Sequence, residues 1–184
     1  MDAIVVWSGR EYHSIEHCAL RSTEYGLEGR SVVVGFYDGE VYRVDYLISL
    51  NDRWETQRCE INYHVNHIAA NILLQRVGGQ WTLNEKPMPE FTNCIDVDIP
   101  ITPFTNTLPI NRLQLSEKES RQIDVIYFDV LSDEIKVVRQ KYKRINATQY
   151  KYENVPIDFE AVISVDENGL VEDYPGLFVR TAIG

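Results

Sequence analysis

Two histidines and a cysteine near the start of the chain are the first residues whose types and spacing could do chemistry. His13 and His17 are four residues apart, and Cys18 follows directly. On a helix the two imidazoles would share a face and could bind zinc. The surrounding sequence has no helical periodicity, however, and in a strand residues four apart are separated by about 13 Å. We therefore predict ordinary strand residues here, with no metal site and no cofactor.

A pair of carboxylates is the second candidate. Asp96 and Asp98 alternate with apolar residues in the segment 94–99, so a strand would place both carboxylates on one face. Such a pair could act as a general acid and base or hold a divalent ion. The reading that we favour is a polar strand face turned to water, or side chains that hold neighbouring loops.

The segment 102–109 is unusual because it contains three threonines, Asn106 and two prolines. Hydroxyl and amide groups of this kind cap turns, and they could also bind sugar hydroxyls or a polar head group. Both roles stay open. Thr102 suits an N-cap and Pro103 a first helical residue, which predicts a short helix that ends before Pro109.

Basic residues are concentrated in the segment 134–151, which has six Lys or Arg residues and one acidic residue, and tyrosines are interleaved with them. A basic hairpin with tyrosines could stack single-stranded nucleic acid, grip an anionic head group or serve as a protein-interaction surface. We favour a solvated edge strand whose charges prevent edge-to-edge aggregation. Residues 153–184 carry seven acidic residues and one Arg, so we expect ion pairs between the two segments.

The composition limits the class of protein. The chain has 184 residues, 44% of them hydrophobic, and a formal net charge of -10. These values favour a single domain over residues 1–184, exclude disorder of the whole chain, and disfavour nucleic acid as a partner. We find no transmembrane segment and no export signal in the sequence, and we expect a cytoplasmic protein whose three cysteines are free thiols. The oligomeric state is left open.

The elements that must position these residues are mostly strands. Alternation with period two is clearest in residues 41–50 and 54–63, and Asp-Gly and Asn-Gly pairs mark turns between strand-like runs. Roughly ten or more short strands at this spacing predict a mainly β protein, as a sandwich, barrel or roll. The pattern does not decide whether the interior is filled or holds a ligand.

Three stretches of the sequence resemble one known family. The first runs from Asn93 to Leu113 through the two aspartates, the second from Tyr150 to Arg180, and the third from Val44 to Arg58. On these motifs, which span nearly the whole chain, the protein resembles the bacterial Putative glycolipid-binding family. Asn111 departs from the family pattern, which usually has Arg there. The resemblance implies a spiral β-roll of many short, mostly antiparallel strands with one or two short helices.

The resemblance also implies a function: non-catalytic binding of an amphipathic ligand, a glycolipid or other lipid, in a concave β-roll. The acyl part would pack against aromatic and aliphatic side chains, and a few polar groups would orient the head group. The expected ligand-binding residues are Tyr46, Trp54, Arg58, Asp96, Asp98, Asn106, Arg112, Tyr150, Tyr152 and Tyr174. The alternative is an enzyme acting on a sugar or lipid ester, with Asp96 and Asp98 as acid and base or as metal ligands.

Overall fold

The fold is described from a computed structural model that covers residues 1–184, apart from the side chain of Pro156. The described residues form fifteen strands in one sheet, one α-helix, and two short 3-10 turns. The strands are β1 (Ala3–Gly9), β2 (Ser14–Thr23), β3 (Gly26–Tyr37), β4 (Glu40–Leu50), β5 (Thr56–Val65), β6 (Ile68–Val77), β7 (Gln80–Leu83), β8 (Lys86–Pro87), β9 (Asp96–Asp98), β10 (Ser120–Asp129), β11 (Glu134–Arg144), β12 (Gln149–Asn154), β13 (Phe159–Val165), β14 (Val171–Tyr174) and β15 (Phe178–Ile183). The helix is α1 (Phe104–Leu113), and the 3-10 turns are Pro89–Phe91 and Val155–Ile157.

The sheet consists of two meanders joined through the first and last strands. Its order runs from β8 back to β1, then from β15 back to β9, and every neighbouring pair is antiparallel except β9 with β10. This arrangement confirms the predicted mainly β roll of mostly antiparallel strands with a short helix. Several strands are longer than the short strands predicted. For example, β3 has twelve residues and β4 has eleven.

The alternating sequence pattern places the core on one face of the sheet. In β4 the side chains from Tyr42 to Leu50 alternate between buried and more exposed positions, as the sequence predicts. The next strand begins later than predicted, at Thr56, because Trp54 lies in a tight turn. Trp54 has a positive φ of 62°, and its backbone N–H donates to the carbonyl of Asn51.

The two halves of the sheet curl toward each other and pack across the interior. The rings of Tyr63 on β5 and Phe128 on β10 meet edge to face, with their centres 5.7 Å apart. The indole Nε1 of Trp7 donates to the carbonyl of Val171 at 2.7 Å. The buried hydrophobic side chains form two clusters, and the larger one contains residues from both halves of the sheet. The interior of the roll is therefore largely filled.

The helix α1 lies inside the roll, with residues 104–110 all buried. It begins one residue later than predicted, and the Oγ1 of Thr102 accepts the backbone N–H of Phe104. The prediction that the helix ends before Pro109 is wrong, since Pro109 lies within it. A proline inside a helix removes one backbone hydrogen bond, but burial of this face outweighs that local cost. Gly29 on β3 permits the close approach, because a Cβ there would lie 2.6 Å from the Phe104 ring.

The basic segment is an inner part of the sheet. The prediction of an edge strand is wrong, because β11 pairs with β10 on one side and β12 on the other. The expected ion pairs are confirmed, since Lys141 contacts Glu153 at 3.1 Å and Lys151 contacts Glu160 at 2.7 Å.

The three cysteines, Cys18, Cys59 and Cys94, are buried free thiols, as predicted. Burial raises the pKa of the Cys59 thiol to about 12. Among the described residues, none of the helical segments has the length and apolar character needed to span a membrane.

Candidate functional site

A pocket of about 170 Å³ lies where the β1–β2 turn and the end of β9 meet α1, β10 and the strands β12–β15. Glu11 and Ile157 are exposed at its margin, so the pocket opens to solvent there. The residues that line it are Glu11, Tyr12, Asp98, Pro100, Thr102, Asn106, Tyr127, Tyr152, Asn154, Ile157, Phe159, Tyr174, Leu177 and Phe178.

Aromatic rings form one wall of the pocket. Tyr12 stacks on Phe178 with ring centres 5.9 Å apart, and Tyr174 meets Phe178 edge to face at 6.2 Å. Tyr152 contacts both Tyr174 and Phe159, at 6.1 and 6.3 Å. These pairs fix one another's orientation, so the wall is a preformed surface.

Polar groups line another side and are held by a buried network. Asp98 accepts a hydrogen bond from Thr105 Oγ1 at 2.9 Å and one from Gln140 Nε2 at 2.6 Å. Asn106 Nδ2 donates to the hydroxyl of Tyr142 at 3.0 Å, and that hydroxyl lies 3.4 Å from Gln140 Oε1. The network therefore connects the two pocket side chains, Asp98 and Asn106, through residues behind them. Burial raises the pKa of Asp98 above its ordinary value, while its two hydrogen bonds oppose that effect.

Several polar atoms in the pocket wall have no partner within the described part of the chain. Asn154 is 7% exposed, and its Oδ1 is buried without a hydrogen-bond partner. The hydroxyl groups of Tyr12, Tyr127, Tyr152 and Tyr174 also donate to no described residue. Burial raises the pKa of all four hydroxyls, so they stay protonated. A buried polar atom without a partner is costly, which makes Asn154 Oδ1 a candidate to bind a ligand. The four hydroxyls are not such buried atoms, but they are free to form hydrogen bonds within the pocket.

A buried carboxylate, Glu16, lies behind the pocket. Its Oε1 accepts hydrogen bonds from Ser31 at 2.6 Å, Tyr46 at 2.5 Å and Thr102 at 2.9 Å. Its Oε2 has no partner among the described residues. Burial raises the pKa of Glu16 to about 7, against the effect of these hydrogen bonds. Thr102 both contacts Glu16 and lines the pocket, so it joins the carboxylate to the site.

The pocket brings together four of the ten residues expected from the sequence: Asp98, Asn106, Tyr152 and Tyr174. The others lie elsewhere. Tyr46 bonds to Glu16, Trp54 packs on the edge of the core, and Arg58 pairs with Glu60 at 2.8 Å. Tyr150 is buried in the same hydrophobic cluster as Tyr152 and Tyr174, but it does not line the pocket.

The remaining two expected residues, Asp96 and Arg112, bind each other. The Arg112 guanidinium contacts both oxygens of Asp96 at 2.6–3.2 Å, and the Asp96 side chain is 1% exposed. Of the two structural roles expected from the sequence, the water-facing carboxylate is wrong for Asp96, which instead holds a neighbouring segment by tying the end of α1 to β9. The described residues contain no group of three or more metal-ligating side chains. Because Asp96 is occupied by Arg112, the pair of aspartates is not arranged as an acid and a base.

Sequence reasoning missed most of the aromatic wall and Asn154. Asn154 follows Tyr150 and Tyr152 at period two on β12, and all three are buried. Extending that alternation by one step would have found it. Tyr12 and Phe178 gave no such signal, because they come from the two ends of the chain and meet only when β1 pairs with β15.

A second depression, of about 310 Å³, lies on the outer face of β2–β5. It is larger, but its charged groups are already paired: Asp45 with Arg43 at 2.8 Å and Glu60 with Arg58 at 2.8 Å. The first pocket is the stronger candidate because unpartnered polar groups and aromatic rings converge in it.

The comparisons with known proteins agree with this fold. The sequence model of the family described as Putative glycolipid-binding matches residues 4–180. The chain belongs to this Putative glycolipid-binding family. One similar solved structure is that of a DUF1089 family protein, PA1994, from Pseudomonas aeruginosa. It is 34% identical with a TM-score of 0.82, over 91% of this chain and 92% of that one.

A second solved structure shows likeness of fold alone. It is described as a beta-barrel-like protein of domain of unknown function DUF1849 from Brucella abortus, and its TM-score is 0.54 at 10% identity. The match covers 99% of this chain and 95% of that one. The curated proteins include no match to the chain.

Proposed function

We propose that this member of the family binds an amphipathic ligand without catalysis, and that the pocket takes the ligand's hydroxylated, sugar-like head group. The observation that carries the proposal is the pairing of a preformed aromatic wall with polar groups that have no partner of their own. Aromatic rings pack against the apolar face of a sugar ring, while its hydroxyl groups bind the polar side chains. The name of the family supports the same ligand class.

The size of the pocket limits what it encloses. A volume of about 170 Å³ is close to the roughly 150 Å³ of a cavity that holds benzene, and below the roughly 300–1,000 Å³ of pockets for drug-sized ligands. The pocket therefore holds one ring and no acyl chain. Because α1 and the core side chains fill the rest of the roll, the acyl portion extends out of the pocket mouth.

The mouth has an apolar side that suits such a chain. Ile157 lines the pocket and is 69% exposed, and the partly buried Leu177 and Phe159 also line it. Each methylene that these side chains remove from water contributes roughly 0.8 kcal/mol to binding. The ligand is thus divided between a ring inside and a chain across the rim.

Titration calorimetry with methyl and octyl β-glucosides, below the micelle concentration of the latter, tests both parts. We expect saturable binding of both, with the octyl glucoside binding more tightly. Ile157→Ser is expected to reduce the advantage of the octyl chain and to leave methyl glucoside binding unchanged. Ile68→Ser is the matched control, because Ile68 is 70% exposed and lies outside the pocket lining. Failure of both glucosides to bind the wild-type protein would refute the proposal.

A further inference from the structure

Two aspartates on one short strand differ in whether a cation pairs with them. Asp96 is neutralised by Arg112. Asp98, two residues further along β9, has only the uncharged donors Thr105 and Gln140. Among the described residues, no Lys, Arg or His lies within ion-pair distance of Asp98. Asp98 is partly buried. A carboxylate that is withdrawn from water without a cation is unusual, because its charge loses hydration without a compensating partner.

The whole pocket lining repeats this imbalance. It includes two acidic residues, Asp98 and the exposed Glu11, and no basic residue. Lys136 places its ammonium group 5.7 Å from the centre of the Tyr127 ring, but it pairs with Glu134 and does not line the pocket. An anionic group in the pocket would face these carboxylates without a counter-charge.

The aromatic side of the pocket favours the same sign of charge. Five rings besides Tyr127 line it, from Tyr12, Tyr152, Phe159, Tyr174 and Phe178. Aromatic faces attract cations, and recognition of ammonium groups by several rings together is a well-established use of that attraction. The buried and unpartnered Oδ1 of Asn154 adds an acceptor that an N–H donor can satisfy.

From this geometry we infer that the head group carries a protonated amine, as in an amino sugar, and that the amine binds Asp98 between the tyrosine rings. The inference rests on the proposed function, because it specifies the chemistry of a ring in the same pocket. Asp98 is the positioning charge for the amine, and Asn154 accepts a hydrogen bond from the same group or from an adjacent hydroxyl. Anionic rings are excluded by repulsion.

Three matched rings test the inference: glucosamine, glucose and glucuronate, titrated against the wild-type protein at pH 6.5. They share one ring and differ in charge. A charge-assisted hydrogen bond with cation–π contacts predicts that glucosamine binds on the order of ten- to a hundredfold more tightly than glucose. Glucuronate is expected to bind most weakly. Asp98→Asn keeps the shape of the side chain and its acceptor oxygen, and we expect it to bring glucosamine close to glucose.

Asp124→Asn is the matched control, since Asp124 is a partly buried aspartate on β10 that pairs with Arg139 and does not line the pocket. Circular dichroism checks that both variants are folded. If Asp98→Asn does not fold, the ranking of the affinities of the wild-type protein for the three sugars tests the inference alone. Equal binding of glucose and glucosamine would overturn the inference and leave the proposed function intact. Absence of binding by all three rings, together with both alkyl glucosides, would overturn the two proposals together.

Discussion

The buried carboxyl group of Glu16 makes the stability of the fold depend on pH. Burial raises its pKa from 4.5 to about 7. One pKa unit corresponds to 1.36 kcal/mol, so a shift of this size is worth about 3 kcal/mol. The unfolded chain releases the proton near pH 4.5 and the folded protein near pH 7, so the folded state binds more protons between these values. The free energy of unfolding therefore falls as pH rises through this window.

The variant Glu16→Gln removes this ionisation and little else. Its Oε1 can still accept from Ser31, Tyr46 and Thr102, while its Nε2 replaces an oxygen that has no partner. That N–H group is buried and unsatisfied, so we expect the variant to be no more stable than the wild-type protein at pH 4.5. At pH 8 the wild-type protein carries the full cost of the charge, and the difference between the two proteins is expected to shift by about 3 kcal/mol in favour of the variant.

Urea unfolding followed by tryptophan fluorescence, at pH steps from 4.5 to 8, measures this difference. Comparing the two proteins at each pH cancels the titration of every other group. Glu60→Gln is the matched control. Glu60 pairs with Arg58, which lowers the pKa of Glu60, so its contribution has the opposite sign. A difference between Glu16→Gln and the wild-type protein that stays constant from pH 4.5 to 8 would refute the reasoning.

Three further perturbations test the framework and the pocket. Arg112→Ala leaves Asp96 buried without its cation, so we expect a loss of about 3–5 kcal/mol in urea unfolding, and a loss below about 1 kcal/mol would contradict a structural ion pair. Asn154→Leu removes an unpartnered buried oxygen, so we expect unchanged or higher thermal stability but roughly three- to tenfold weaker binding of methyl glucoside by calorimetry. Gly29→Ala places a methyl group against the Phe104 ring, 2.6 Å from its nearest atom. We expect a loss of about 1–3 kcal/mol, and an unchanged unfolding midpoint would show that α1 can shift freely.

The strands were predictable because each one carries its own signal. Alternation in β4 specifies which side chains are buried, and this local pattern does not depend on the rest of the fold. The helix was only partly predictable. Pro109 indicates an early end to the helix. The packing of α1 inside the roll overrides that signal, and this packing involves residues far away in sequence, such as Gly29.

The candidate pocket was less predictable, because its lining comes from both ends of the chain. Tyr12 and Phe178 are brought into contact by the pairing of β1 with β15, and the residues between them carry no trace of that pairing. The tyrosines of β12 were recognised as candidates, but the sequence could not separate Tyr150, which does not line the pocket, from Tyr152, which does.

Asp96 and Asp98 show most sharply where local reasoning ends. The two carboxylates have the same residue type, lie on the same strand and are two positions apart, so the pattern assigns them the same role. Their roles separate because Arg112, sixteen residues beyond Asp96, returns along α1 and reaches only the first of them. The second is left facing the aromatic wall with uncharged partners. One aspartate thus fixes the helix in the roll, and this leaves the other, held by Thr105 and Gln140, as the carboxylate that we propose for the ligand's amine.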